Sequence, residues 1–342
     1  MDQPETPSDA PHGKALAALP RLNLRILSDR RAGHEAQMFG IAEALRLTPD
    51  IRDIHPRKFY AALAPFGPLD PLEAEGKPGS AIAPPWPDIA LACGRRTLPY
   101  LRRIKRASKG AVFTVYLNAP ANGPRAADLI VAPVHDGMFG PTVFTPLTPA
   151  NRISAALLAR MRENPDPRVA ALPAPRAALL IGGDNRHFRL TPADAAALAD
   201  VVRALYAQGF SVMATASRRT PPFVAEALAP ALQQGAGWLW DGAGDNPYPS
   251  MLAMAEAIVV TADSVNMVGE AVATGAPVHV FAATGKSRRV ADYLHRLQRL
   301  GAVRVWSGAA ERWDYEPINA TPSIAKAITR AYAIFRGLPE LL

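Results

Sequence analysis

Apolar runs of strand length, separated by helix-patterned segments, recur along the whole chain, and this alternation limits its possible folds more than any other feature. LRILS (24–28) leads through a polar turn into HEAQMFGIAEALRL (34–47), where Met38, Ile41 and Leu45 recur at helical spacing. DIALAC (88–93), GAVFTVYLN (110–118) and DLIVAP (128–133) follow, and the pattern restarts with ALLIGG (178–183). Spacings of three and four put side chains on one helical face, whereas a short unbroken apolar run reads as a strand covered on both faces. Strands alternating with helices form parallel sheets, so the expected class is α/β, with two Rossmann-like domains facing each other across a cleft. A length of 342 residues suits two domains of roughly 100 to 200 residues each.

Composition places the boundaries. Residues 1–20 begin MDQPETPSDAPHG, with acids and prolines where a signal peptide has a basic region and an apolar stretch, and read as a disordered lead-in. The first domain is expected over 21–162, closed by a helix at 151–162. The segment ENPDPRVAALPAPR (163–176) carries four prolines and little periodicity, and is read as the linker. The second domain then covers 177–342. Within it Thr191, Pro192 and Asp194 fit the N-cap, first and third positions of a helix that stops at Gly209, and a last helix is expected over 322–336.

Several function classes drop out. No run approaches the ~18 apolar residues of a membrane-spanning helix. Cys93 is the only cysteine, which rules out an internal disulfide, disfavours a structural zinc cluster and makes a reducing cytoplasm the default. Residues 1–160 hold 20 Lys and Arg against 14 Asp and Glu, an excess of +6, while residues 161–342 hold 18 against 16. Arg95, Arg96, Arg102, Arg103, Lys105, Arg106 and Lys109 crowd one helix-patterned segment. That face is either simply solvated or a contact for an anionic membrane surface. No nucleic-acid module and no basic stretch interleaved with stacking aromatics is present, so nucleic acid is not an expected partner.

Ligands of parallel sheets bind beyond the carboxyl ends of the strands, which directs attention to the loops that follow them. In SDRRAGHEAQ (28–37), Gly33, His34 and Gln37 stand at the start of a helix whose inward stripe is Met38, Ile41 and Leu45. His34 there is either a general base for a hydroxyl or a residue that caps and packs the turn. In IGGDNRHFRLT (181–191), Gly182 and Gly183 would let a phosphate approach the main chain, with Asp184, Asn185 and Arg186 beside them; an ordinary glycine turn is the alternative. The loop is neither a Walker P-loop nor GxGxxG, which lowers ATPase and nicotinamide readings. TASRRT (215–220) offers Ser217, Arg218 and Arg219 on the same sheet edge. In TADSVNMVGEAVATGAPV (261–278), Asp263, Asn266 and Glu270 line the start of a helix, where Ser264 and the helix dipole can meet a diphosphate and a carboxylate can accept ribose hydroxyls.

These residues resemble a family. DSVNMVGEAVATGAPV (263–278) is similar to the nucleotide-sugar motif of glycosyltransferases with the two-domain B-type (GT-B) fold, where the glutamate matching Glu270 holds the ribose, the loop matching Gly182 and Gly183 lies near the diphosphate, and the pair matching Gly33 and His34 faces the acceptor. More closely, residues 24–335 resemble the elongated-mitochondria, or mitochondrial-fission, family, whose members are read as glycosyltransferases from their fold. GHEAQ (33–37), GRRT (94–97, with Arg95), APVHDG (132–137, with His135 and Asp136), IGGDNRHF (181–188), TASRRT (215–220) and TADSVNMVGEA (261–271) carry that resemblance in order.

The resemblance implies transfer of a sugar from a nucleotide-sugar donor, and the basic N-terminal face suggests a cell-envelope or lipid-linked acceptor at the inner membrane surface. Either of two alternatives keeps the same fold: a nucleotide-sugar 2-epimerase or a non-catalytic membrane-associated adaptor. No cofactor is expected beyond the donor itself, and no metal, because the chain lacks a D-x-D tripeptide. The Ala- and Arg-rich composition without a transit peptide reads as bacterial, a setting in which the fission dynamin recruited by plant members is not an expected partner.

Overall fold

The computed structural model describes residues 22–338, and the lead-in expected over 1–20 lies outside them. The chain forms two compact units, the described part of Met1–Pro146 with Thr321–Leu342, and Leu147–Ala320. The first holds β1 (Leu24–Ser28), α1 (Ala32–Ala44), β2 (Asp50–Asp53), α2 (Lys58–Leu63), β3 (Ile89–Cys93), α3 (Leu98–Ala107), β4 (Phe113–Leu117), β5 (Leu129–Val131) and β6 (Val143–Phe144). Its strands run in the order β2-β1-β3-β4-β5-β6, all parallel. Met38 and Ile41 of α1 are fully buried, and Leu45 and Gln37 nearly so, as the helical stripe requires.

One buried residue of β1 is charged. Arg25 is 3% exposed, with Nε 2.9 Å from Asp50 and its remaining nitrogens 2.8 Å from the Ala83 carbonyl and 2.9 Å from that of Pro85. A buried guanidinium is tolerable only when its donors are used, and here they fasten the Pro-rich insert that spans about residues 56–87 to β1 and β2.

The second unit holds α4 (Ala155–Glu163), α5 (Pro167–Ala170), β7 (Arg176–Ile181), α6 (Pro192–Ala207), β8 (Ser211–Ala216), α7 (Pro222–Leu232), β9 (Gly237–Trp240), α8 (Tyr248–Met254), β10 (Ala257–Thr261), α9 (Val265–Val272), β11 (Val278–Phe281), α10 (Arg288–Arg299) and β12 (Val303–Val305). The strand order is β12-β11-β10-β7-β8-β9, again all parallel. Ala178, Leu180, Ile258 and Val260 enter one core, and Ala177, Leu179, Ile181, Ala257 and Val259 the other. Both faces of β7 and β10 are therefore covered, which is why these strands read as unbroken apolar runs. The expected start of α6 is present as a reciprocal pair, Asp194 N–H to Thr191 Oγ1 at 3.1 Å and Thr191 N–H to Asp194 Oδ2 at 2.7 Å.

The domain boundaries differ from the sequence reading in two places. α4, expected to close the first domain, belongs to the second, because Leu158, with Val169 of α5, is buried in one core with Met251 and Leu252 of α8. The prolines of 163–176 thus punctuate α5 and a packed turn; they do not mark a free linker. The last helix, α11 (Thr321–Arg336), returns to the first unit, where the Tyr332 and Phe335 rings lie 5.8 Å and 5.2 Å from that of Phe113 on β4. Sequence order assigned it to its neighbours, but its apolar face fits the β4 side of the first sheet. Among the described residues no helix is long and apolar enough to cross a membrane.

Because α11 covers the first core, Tyr332→Ala is expected to destabilise that unit by roughly 3 kcal/mol through lost ring burial and the cavity left behind. Hydrogen exchange read strand by strand should show β1, β3 and β4 losing protection while β7 and β10 keep theirs. Equal loss in both sheets would contradict the assignment of α11 to the first unit.

Candidate functional site

Each sheet reverses its strand order at one place, between β1 and β3 in the first and between β7 and β10 in the second, and the sequence-nominated residues gather mainly at these two points.

In the first sheet the chain turns from β1 into α1 through Asp29, Arg30 and Arg31, with Arg30 at a left-handed φ of 59°. Asp29 is the residue that sequence reasoning missed. Its side chain is 2% exposed, and its Oδ1 lies 2.9 Å from Nδ1 of His34, whose side chain is 21% exposed. A carboxylate only accepts, so Nδ1 carries the hydrogen of this bond. Burial pushes the Asp29 carboxyl up, but the His34 hydrogen bond and charge, with the Arg31 amide and charge, outweigh it and hold the group below the usual carboxylate range.

Gly94, directly after β3, makes room for this pair. A Cβ there would stand 2.6 Å from His34 Cε1 and 2.9 Å from Asp29 Oδ2, and the residue's φ of 92° also favours glycine. Gly33 and the buried Gln37 lie on α1 on either side of His34 in sequence, and Arg31 offers no side-chain cap to the helix. The one signal for Asp29 was its position, the first residue after a buried strand.

Other candidates of the first unit serve the scaffold. Arg95 donates to the Ala64 carbonyl at 2.7 Å. Asp136 accepts the Ala119 amide at 3.0 Å, and His135, 8% exposed, sits beside it on the short turn after β5. These two residues join the loops that follow β4 and β5.

At the second reversal Asp263, two residues past Thr261 at the end of β10, reaches under the turn that ends β7. Its Oδ2 accepts the Gly183 amide at 2.8 Å, its Oδ1 accepts from Thr261 Oγ1 at 2.7 Å, and Thr261 Oγ1 accepts the Gly182 amide at 2.8 Å. A Cβ on Gly182 would fall 2.3 Å from both Asp263 oxygens, and one on Gly183 would fall 2.2 Å from the Arg219 carbonyl carbon. The two glycines are thus explained by the Asp263 carboxylate and the 219–220 backbone packed against them, and their amides are already bonded. This corrects the reading of those amides as a phosphate cradle.

Burial raises the Asp263 carboxyl above the usual range against the bonds from Thr261 and Gly183 and the charge of Arg219, whose Nη2 is 3.9 Å away. Ser217 and Thr220 close the loop after β8, with Thr220 Oγ1 donating to the Gly182 carbonyl. Asp184 and Asn185 also shape their own loop, Oδ1 of Asp184 accepting the Leu190 amide at 2.9 Å and Oδ1 of Asn185 the His187 amide at 2.8 Å. Arg186 is exposed, with Nε 2.7 Å from Nε2 of His187. Arg218 is exposed at the same sheet edge, and among the described residues no carboxylate pairs with it.

Along α9, Ser264 is the N-cap and accepts the Met267 amide, while Asn266 and Glu270 stand one turn apart, half-buried. Glu270 accepts from the Tyr248 hydroxyl at 2.7 Å, and among the described residues no cation pairs with it. Burial pushes its carboxyl up to about 7, with the Tyr248 bond pulling the other way. Tyr248, at the start of α8, could not be found by spacing, since it reaches Glu270 only through the packing of α8 on α9. Among the described residues no three His, Cys, Asp or Glu side chains converge as a metal set would.

Two outcomes follow. Gly182→Ala must displace the Asp263 carboxylate, so a loss of about 2 kcal/mol or more is expected in chemical denaturation, and unchanged stability would contradict the packing account. For Glu270 the folded pKa of about 7 exceeds the ordinary 4.5. Between those values the folded chain holds a proton that the unfolded chain has released, so the group lowers stability as pH rises through this window and costs its full amount above it. Glu270→Gln should therefore be more stable than the parent at pH 8, with the difference in melting temperature shrinking as pH falls through the same window.

The sequence profile of the mitochondrial fission ELM1 family matches residues 32–332. The chain is similar to mitochondrial fission protein ELM1 of Arabidopsis thaliana, 30% identical over 274 residues that cover 72% of this chain and 64% of the relative. It is also 28% identical over 166 residues to the uncharacterized protein RP120 of Rickettsia prowazekii, covering 46% of this chain and 47% of that one. The chain thus spans less than two thirds of the length of either relative. Among solved structures it resembles the S. aureus MnaA–UDP co-structure, with a TM-score of 0.56, 14% identity and coverage of 93% and 98%. It likewise resembles the UDP-GlcNAc 2-epimerase of Methanocaldococcus jannaschii, with a TM-score of 0.53, 12% identity and coverage of 90% and 99%. At those identities the likeness is one of fold, the GT-B architecture of two parallel α/β sheets. With a family profile running over nearly all the described residues, the chain belongs to the mitochondrial fission ELM1 family.

Proposed function

We infer that this protein is a glycosyltransferase that uses a nucleotide sugar and passes its sugar to a lipid-linked or other cell-envelope acceptor at an anionic membrane face. The observation that carries the reading is Glu270 on α9, a carboxylate with no cationic partner among the described residues, kept at a cost in stability. Such a group is maintained for what it binds, and vicinal ribose hydroxyls supply the donors it lacks. Solved proteins of this fold include complexes with UDP and UDP-GlcNAc, which supports the nucleotide-sugar class.

The proposed step removes the hydroxyl proton of the acceptor to Nε2 of His34 while the acceptor oxygen bonds to the anomeric carbon. The bond from that carbon to the diphosphate breaks, and the nucleoside diphosphate leaves with the electron pair. Asp29 holds the imidazole in the tautomer required and stabilises the imidazolium that forms. Negative charge developing on the diphosphate is met by Arg218 and by the N-terminal end of α9, so the proposed step uses no metal or other cofactor.

Calorimetry with UDP, GDP, ADP and CMP should give micromolar binding for one of them, weakened about tenfold or more in Glu270→Ala. Because protonation removes the carboxylate charge and turns one of its oxygens into a donor, affinity should also fall as pH drops below about 7. His34→Ala should abolish turnover, and Asp29→Asn should lower it by about a hundredfold, with nucleotide affinity unchanged in both. Absence of heat with every nucleotide would replace the transferase with a non-catalytic adaptor. Release of free epimerised nucleotide sugar without acceptor would replace it with a 2-epimerase.

A further inference from the structure

The basic helix nominated by sequence is largely occupied by the Pro-rich insert packed against it. Arg102 donates to the Pro65 and Gly67 carbonyls at 2.6 Å and 3.1 Å, Arg103 pairs with Glu75 at 2.8 Å, and Lys105 pairs with Asp128 at 2.8 Å. On the insert itself, Asp70 is buried, its charge met by Arg57 at 2.8 Å, and it caps the Leu72 amide at 3.1 Å. These bonds hold the insert backbone firmly against α3.

The same bonds turn large apolar side chains outward. Phe59, Leu63, Phe66 and Leu72 are 68%, 41%, 69% and 60% exposed, all within one short stretch of chain. Phe59 and Leu63 are one helical turn apart on α2. Leu63 lies under Gly67, where a Cβ would come within 2.5 Å of its own Cβ. Gly67 and Phe66 in turn line a groove of about 580 Å³ whose other wall is Arg102, Arg103 and Arg106.

Of the charges at this groove, Arg103 is neutralised by Glu75 and Asp70 by Arg57, which leaves Arg102 and Arg106 without a carboxylate among the described residues. Partial burial and the like charge of Arg106 both hold Arg102 below the ordinary arginine range. Two uncompensated guanidiniums beside an outward-facing apolar ridge are complementary to one surface in particular, a layer of anionic phosphates over hydrocarbon. A protein partner would need a matching acidic and apolar face; a bilayer presents both over its whole area.

We propose that the α2 ridge and the arginine groove beside it form the membrane-docking surface of this protein, Arg102 and Arg106 meeting lipid phosphates while Phe59, Leu63, Phe66 and Leu72 enter the acyl boundary. The inference deepens the reading of a membrane-borne acceptor and rests on it. Its test needs neither nucleotide nor turnover.

Co-sedimentation with equimolar phosphatidylglycerol and phosphatidylcholine vesicles should retain the full chain, and pure phosphatidylcholine vesicles should retain much less. Phe59→Ser combined with Phe66→Ser should weaken partitioning about tenfold or more. Arg106→Gln should weaken it about fivefold and lessen its dependence on salt. Arg299→Gln, an exposed cation of the second unit, serves as the charge control and should bind like the parent. All these positions are exposed, so melting temperatures should stay at the parental value.

Failure of the parent to bind anionic vesicles overturns the proposal, as does equal binding by the ridge and groove variants. A concentration-dependent dimer abolished by the Phe59 and Phe66 changes would assign the ridge to a second copy. Release of the bound chain by millimolar glycerol phosphate would assign the groove to a soluble phosphate. The glycosyltransferase reading fails separately, on the absence of nucleotide binding.

Discussion

The burial of one carboxylate organises the second unit of this protein. Asp263 accepts the Gly183 amide and the Thr261 hydroxyl, and so ties the end of β10 to the turn after β7 at the point where the strand order reverses. A buried carboxylate is tolerable only while its lone pairs are satisfied, and here the donors come from elements about 80 residues apart in the chain. Several local features are consequences of that joint. Gly182 has no side chain because the carboxylate fills the place of one, Gly183 lies against the 219–220 backbone, and Thr220 returns to the Gly182 carbonyl. The start of α9 therefore hangs from a braced corner, and Glu270 is positioned by rigid elements.

The first sheet solves an analogous problem with a different purpose. Asp29 also follows a buried strand at a strand-order reversal and is also nearly inaccessible, but its main partner is a side chain that remains partly open to solvent. Asp263 stabilises backbone; Asp29 orients an imidazole. The contrast separates a structural acid from one coupled to a titratable group. It also gives Gly94 and Gly182 a shared logic, since each leaves the volume of a missing Cβ to a carboxylate and its partners.

The α/β class, the two parallel sheets and most helices were legible in the sequence because periodicity and capping are local. Thr191, Pro192 and Asp194 placed α6 at its observed start, and His34, Asp263 and Glu270 were nominated from the loops after strands and from helical spacing. The two-residue β6 and the α2 helix within the Pro-rich insert carry too few residues for any period to emerge. Contacts between distant segments were not legible either. The proline run at 163–176 looked like a linker, yet Val169 is wholly buried beside α8. The glycine pair was read correctly as a close approach, but what approaches is the protein's own carboxylate, which no sequence spacing distinguishes from a phosphate.

Net charge was the most deceptive signal. An excess of cations in the first half invites the picture of a uniform positive field, yet Arg25, Arg57, Arg103 and Lys105 are paired with carboxylates. Once those are set aside, the counted excess no longer describes what the surface offers a partner. Bound arginines still matter to that surface, because the insert they clamp presents Phe59, Leu63, Phe66 and Leu72 as a fixed ridge. A flexible insert could fold such side chains back onto the protein and lose the driving force to bury them elsewhere. Rigid clamping removes that option, so the same guanidiniums that lower the available positive charge keep the apolar side chains available for contact.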